Sequence, residues 1–212
     1  MLQLLGGKVI SIYQMLSNLS KYKIVLASNS PRRKELLAGL GLKFEVRTLK
    51  DIDESYPSTL KGEEIPEHIS IKKAQAYLPT MSDDELLITA DTIVYAKDEE
   101  GKGVGLGKPK DGEEAHAMLR MLSGKTHDVI TGVNILTKEK HRIFAVTSKV
   151  SFAELSDEEI EYYIENYRPF DKAGAYGIQE WIGFIGVNGL QGSYFNVMGL
   201  PVQRLYEELK KW

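Results

Sequence analysis

Two arginines occupy an electrostatically awkward place in this chain. In Ser28-Asn29-Ser30-Pro31-Arg32-Arg33, Ser30 suits a helix N-cap and Pro31 the first helical position, which sets Arg32 and Arg33 in the first turn, against the positive end of the helix dipole. An anion bound at that end would reverse the penalty, and phosphate is the natural candidate; the alternative is arginines that point to solvent or pair with an acid such as Glu35. Asp91 ends an apolar run that includes Leu86, Leu87, Ile88 and Ala90, where a carboxylate needs a metal, a lysine or backbone amides as partner. In the segment after Pro66, Ile69, Lys73 and Ala76 share one helical face, so Lys73 places an ammonium on an otherwise apolar side. Lys108, in Leu106-Gly107-Lys108-Pro109, is presented by a backbone that glycine and proline constrain. A carboxylate suited to a divalent cation and a water, beside separate lysines and arginines suited to a polyphosphate, meets the needs of phosphoanhydride hydrolysis. The chain has no complete GxxxxGK[ST] phosphate loop.

The elements that must position these groups alternate between strand and helix. Lys23 to Ser28 reads as a strand, Pro31 to Leu40 as a helix, and Phe44 to Thr48 as a short strand before the acidic loop Asp51-Ile52-Asp53-Glu54-Ser55. A helix then runs from Pro66 to about Leu78, a strand from Leu86 to Tyr95, and a glycine-rich loop from Asp98 to Gly107. Asp111 to Leu122 is an amphipathic helix, Val129 to Leu136 and Arg142 to Val150 form a hairpin, and Ser156 with Glu159 makes a capping box for a helix reaching Asn166. Beyond the loop from Phe170 to Gln179, Pro201 opens a last helix. This is an α/β pattern, and 212 residues support one sizeable core. Because the first convincing strand begins only at Lys23, residues 1–20 read as an extension whose removal leaves folding intact, and 21–212 as a single domain.

A formal net charge of −3 argues against tracking a nucleic-acid backbone, and no apolar run reaches the length of a membrane span. The absence of cysteine excludes disulfides, thiolate metal sites and a cysteine nucleophile, and fits a reducing, cytoplasmic setting. His116 reads as exposed, His127 as shaping a turn or a strand start, His68 and His141 as similarly unremarkable, and Tyr162, Tyr163 and Tyr167 as packing at helical spacing.

In the order LASNSPRRKELL, ITADTIV, LGKP, LSGKTHDVITGV, DKAGAYGIQ and GSYFNVMGLP, the sequence from about Lys23 to Leu209 resembles the Maf family of nucleotide pyrophosphatases. The resemblance implies the fold of the inosine-triphosphate pyrophosphatases, a long mixed sheet with helices and two lobes around a central cleft, in a homodimer. It implies hydrolysis of a nucleoside triphosphate to monophosphate and pyrophosphate, with Asp91 as proton acceptor toward water and Glu54 and Asp91 around Mg²⁺ or Mn²⁺. Ser28, Arg32, Arg33, Lys73 and Lys108 match positions lining the phosphates. The combination of Arg32, Thr92 and Gln179 resembles the branch acting on dTTP and UTP. The chain departs from the common pattern at Glu180-Trp181 and in a longer Asp98 to Gly105 loop, so base preference, including 7-methyl-GTP, stays more open than reaction type. A nucleotide-binding regulator of cell division is the alternative from another class. Asp171 and Lys172 match a family motif and either order their loop or join the site.

Overall fold

The computed structural model describes the backbone at residues 4–5, 8–9 and 12–13 and every residue from Gln14 to Trp212. A two-residue pairing of β1 (Leu4–Leu5) with β2 (Lys8–Val9) and the short helix α1 (Ile12–Met15) precede the first long-range strand, β3 (Lys23–Leu26). In chain order there follow α2 (Pro31–Gly39), β4 (Glu45–Val46), α3 (Glu64–Tyr77), β5 (Glu85–Lys97), β6 (Gly103–Leu106) and α4 (Gly112–Leu122). The chain continues through β7 (Thr126–Leu136), β8 (His141–Phe152), α5 (Asp157–Tyr167), α6 (Trp181–Gly186), β9 (Val187–Gln191), α7 (Tyr194–Val197) and α8 (Val202–Lys210).

One seven-stranded mixed sheet runs β4-β3-β5-β7-β8-β9, with β6 also on β5. β3 is parallel to β4 and β5, and the remaining pairs are antiparallel. The long strand β5 organises the site. Its start, Glu85 to Ile88, pairs with β3, and its end, Val94 to Lys97, pairs with β6. Asp91 and Thr92 fall between those two partners, just past the carboxyl end of β3, where α/β sheets open a crevice for ligands. On the other edge of β5, Asp91 stands opposite Gly132 of β7. A Cβ at Gly132 would lie 2.4 Å from the Pro66 carbonyl carbon, so only glycine lets α3 approach the sheet this closely.

Local chemistry explains the helix ends. Ser30 accepts a bond from the Arg33 amide with Pro31 at the first position, Asp111 caps α4, and Ser156 with Glu159 closes the capping box of α5. α3 begins two residues earlier than its proline suggested, because the amides of a first helical turn have no intrahelical partner and Pro66 gives up nothing there. Its inner face is Ile69, Ser70, Ala74 and Tyr77; Ala76, expected on that face, is exposed. Lys73 sits between the two buried pairs, as the helical period requires.

Two stretches differ from the sequence expectation. The loop read from Asp98 to Gly107 contains β6, whose glycines conceal its strand character; Gly103 lies over the Tyr95 ring, where a Cβ would meet the hydroxyl at 2.2 Å. At the other end of the chain, Leu16 and Leu19 are only 3% and 4% exposed and belong to the main core, and the Asn18 side chain donates to the Leu209 carbonyl at 2.8 Å. A boundary drawn at residue 20 therefore cuts through packed structure. Among the described residues, no helix is long and apolar enough to cross a membrane.

Candidate active site

The crevice beside β5 encloses about 280 Å³ and is lined by every residue the sequence nominated: Ser28, Arg32, Arg33, Glu54, Lys73, Asp91, Thr92, Lys108 and Gln179. They arrive from the β3–α2 loop and the first turn of α2, the acidic loop, the inner face of α3, the middle of β5, the turn after β6, and the segment between α5 and α6.

Of the three partners open to Asp91, the structure supplies the lysine. Lys73 Nζ lies 2.7 Å from Asp91 Oδ1 and 3.0 Å from Glu54 Oε1, so one ammonium joins two carboxylates that face each other across it. Asp91 is 8% exposed, whereas the Glu54 side chain reaches solvent. Partial burial works against ionisation of Glu54, but the Lys73 ammonium, with Lys108 and Arg33 behind it, outweighs burial and holds the carboxyl below its ordinary range. These are hard oxygen donors of the kind that bind Mg²⁺ or Mn²⁺ together with phosphate oxygens. Among the described residues, no three histidine or acidic side chains converge into a metal cage.

The two arginines divide. Arg33 turns inward: Nε donates to the Gly199 carbonyl at 2.8 Å and Nη2 to the Thr92 hydroxyl at 2.9 Å. Burial disfavours its charge, and Asp91 and Glu54 counter that. Thr92 pairs further with Thr131 at 2.9 Å, and the Thr131 hydroxyl donates to the Asn196 carbonyl at 3.2 Å, which ties the floor to the turn before Gly199. It is thus Arg33, not Arg32, that touches Thr92. Arg32 instead reaches Asp171 Oδ2 at 3.1 Å, and Glu35 is partner to neither. Ser28 accepts a bond from the Ser30 amide at 3.1 Å, which tightens the loop ahead of the cap.

Gln179 comes from a wall with a different construction. Asp171 to Gln179 carries only one short turn of 3₁₀ helix, Ala173–Ala175, in which Gly174 and Ala175 both have left-handed backbones, φ 66° and 59°. For a buried alanine this is an uncommon, strained conformation. The Gly174 amide donates to the Gly107 carbonyl at 3.0 Å, so this wall also steadies the turn that presents Lys108. Sequence reading left Asp171 and Lys172 open; both line the cavity. Tyr163, read from spacing as helix packing, and Glu180, noted only as a departure from the family pattern, hold this wall through a side-chain contact that spacing does not reveal. His127, read as shaping a turn or a strand start, lies at the start of β7 and is buried, sharing a hydrogen bond of 2.8 Å with the Tyr176 hydroxyl; burial pulls its pKa down to about 4.

The family profile described as "Maf-like protein" matches residues 23–212. The chain belongs to the Maf family. A dTTP/UTP pyrophosphatase of Phocaeicola vulgatus is 66% identical over 93% of this chain and 100% of its own length. One of Parabacteroides distasonis is 63% identical over 92% of this chain and 99% of its length. Among solved structures, a HAM1 protein of Coxiella burnetii is 13% identical with a TM-score of 0.46, covering 90% of this chain and all of that one. In this Maf protein Arg32, Thr92 and Gln179, the combination that resembles the dTTP/UTP branch, all line one cavity, and Thr92 is in direct contact with Arg33.

Proposed function

We propose that this Maf protein hydrolyses dTTP and UTP to the monophosphate and pyrophosphate. The observation that carries the reading is the Glu54–Lys73–Asp91 constellation set in the same cavity as Arg32 and Lys108, supported by relatives of up to 66% identity named for this activity. Asp91 accepts a proton from the water that attacks the α-phosphorus; Lys73 takes only one of its oxygens and orients the carboxylate. Lys73, Lys108 and Arg32 stabilise the charge that builds on the phosphates. Arg33, with two of its nitrogens engaged by Gly199 and Thr92, shapes the floor on which the phosphates rest. Glu54 and Asp91 are the residues that would hold Mg²⁺ or Mn²⁺, which when bound would neutralise phosphate charge and polarise the phosphorus. Gln179 offers both a donor and an acceptor to a pyrimidine edge.

The test is a nucleotide panel with products resolved. Pyrophosphate from dTTP and UTP ahead of purine nucleotides is expected; release of inorganic phosphate would mean an ordinary triphosphatase. A cytoplasmic location is part of this reading. A homodimer belongs to it as well, supported by the outer strand β9, by exposed Phe184, Leu190 and Phe195, and by the absence of any charged residue from 181 to 203. Sedimentation of Leu190→Lys beside the native chain checks it, with a shift to monomer expected.

A further inference from the structure

We propose that Glu180 and Tyr163 are positioning residues that set the base preference of the cavity by fixing the wall that presents Gln179. The inference rests on the reading that Gln179 meets the nucleobase. Neither Glu180 nor Tyr163 lines the cavity, so any effect they have on substrate choice passes through the wall itself.

The wall needs a brace, since it contains consecutive left-handed residues, one of them the fully buried Ala175, and no long helix or strand. Glu180, the residue after Gln179, supplies it with both carboxylate oxygens. Oε1 pairs with Lys172 Nζ at 3.1 Å, tying the end of the wall to its beginning. Oε2 accepts from the hydroxyl of Tyr163, which is fully buried on α5. The same hydroxyl accepts from the Gly177 amide at 3.1 Å, and the Glu180 amide donates to the Gly177 carbonyl at 3.0 Å. A Cβ at Gly177 would stand 3.0 Å from Glu180 Cδ and 3.1 Å from Lys172 Cε, so the backbone runs tight against the brace. Burial and the neighbouring Glu180 carboxylate push the Tyr163 phenol far above its ordinary pKa, which keeps it a donor.

The brace continues to the phosphate side. Lys172 Nζ is 2.7 Å from Asp171 Oδ1, and Asp171 Oδ2 receives Arg32 at 3.1 Å. One chain of charges and hydrogen bonds thus runs from the residue beside Gln179 to an arginine suited to phosphate. A nucleotide touching both ends would be read against a fixed spacing.

The experiment is steady-state kinetics of the full-length native chain, Glu180→Gln, Tyr163→Phe and the double variant on dTTP, UTP, dGTP and GTP with saturating Mg²⁺, with a melting curve for each. Each single variant should raise KM for the pyrimidine nucleotides about tenfold, the scale of one lost charge-assisted hydrogen bond, and leave kcat within about threefold. Preference over purines should fall by the same factor as KM rises. The double variant should be no worse than the worse single one, because both act on one brace. In a Gln179→Ala background, Glu180→Gln should add little. Lower melting temperatures with unchanged KM and preference would overturn the proposal and leave a purely structural ion pair; an equal fall of kcat on all nucleotides would overturn it in favour of a role in the chemistry. If the native chain itself shows no pyrimidine preference, the underlying reading fails; if it shows one that the variants keep, only this inference fails.

Discussion

Asp91 and Gln179 face the same cavity from supports of different kinds. Asp91 is held by the ladder of β5 with β7, and its partner Lys73 by α3, pressed onto that ladder where Gly132 leaves room. Gln179 hangs on a wall shaped by side chains: the Lys172–Glu180 pair, the Tyr163 hydroxyl and two left-handed residues. Backbone ladders hold atoms through many cooperative bonds, so the loss of one side chain hardly moves them, whereas a wall tied by a few polar side chains shifts when one is removed. A hydrolase that must place a water and a phosphorus tightly, yet discriminate among bases, gains from this division: the chemistry sits on the stiff part and the selectivity on the adjustable part.

The largest expected effect is one that cannot tell the two parts apart. Deleting residues 1–20 strips Leu16 and Leu19 from the core beneath both, and each buried leucine lost from a core costs about 2–5 kcal/mol. Melting temperature, rate and selectivity should fall together; a truncated chain that melts like the full one would mean that these leucines are dispensable.

Asp91→Asn separates the parts. The amide keeps the shape and can still bond Lys73, but cannot accept the proton from water, so kcat should drop at least about a hundredfold. Nucleotide Kd and the melting curve should stay near native, as should the preference among bases in the residual rate. Near-normal kcat would remove Asp91 from the mechanism. Gln179→Ala should do the reverse and reduce the ratio of kcat/KM for dTTP over dGTP about tenfold or more, as expected when a base loses its hydrogen-bonding partner, with kcat nearly unchanged. An equal loss on every nucleotide would reassign Gln179 to the phosphate machinery.

The two supports also differ in how far sequence reveals them. Arg32, Arg33 and Lys73 stood out because each contradicts a local rule, a cation at a helix N-terminus or on an apolar face, and such contradictions are visible in spacing alone. The strand, cap and hairpin signals around them were equally local. Which arginine would meet Thr92 was not, since it depends on the Gly199 carbonyl, 166 residues away in sequence from Arg33. The brace was invisible for the same reason: Tyr163 looks like helix packing and Glu180 shows only as a departure from the family pattern until the fold brings them together. β6 was hidden by Gly103 and Gly105, and the N-terminal leucines by the absence of a strand around them.

The smallest effect concerns Glu54, which stands at the solvent edge of the stiff part. Its carboxyl is opposed by burial but held below its ordinary value of 4.5 chiefly by Lys73. A carboxyl whose folded pKa is depressed adds stability that is present above the unfolded value and is lost as pH falls through the folded one, so the Glu54 contribution should fade only below about pH 4.5. With the side chain 46% exposed, water screens the pairing and the stability change should be slight. The titration itself is the sharper observable. In Lys73→Met the main opposing charge is gone and burial acts with less compensation, so the Glu54 midpoint, followed by carboxyl carbon chemical shifts, should move upward, while Lys108 and Arg33 temper the rise. The carboxyls of the wall provide the control, since Asp171 is held down by Lys172 and Arg32 and should keep its depressed midpoint in the same variant. Movement of both would mean that floor and wall share one electrostatic network, and movement of neither would show that the Lys73–Glu54 contact does not persist in solution.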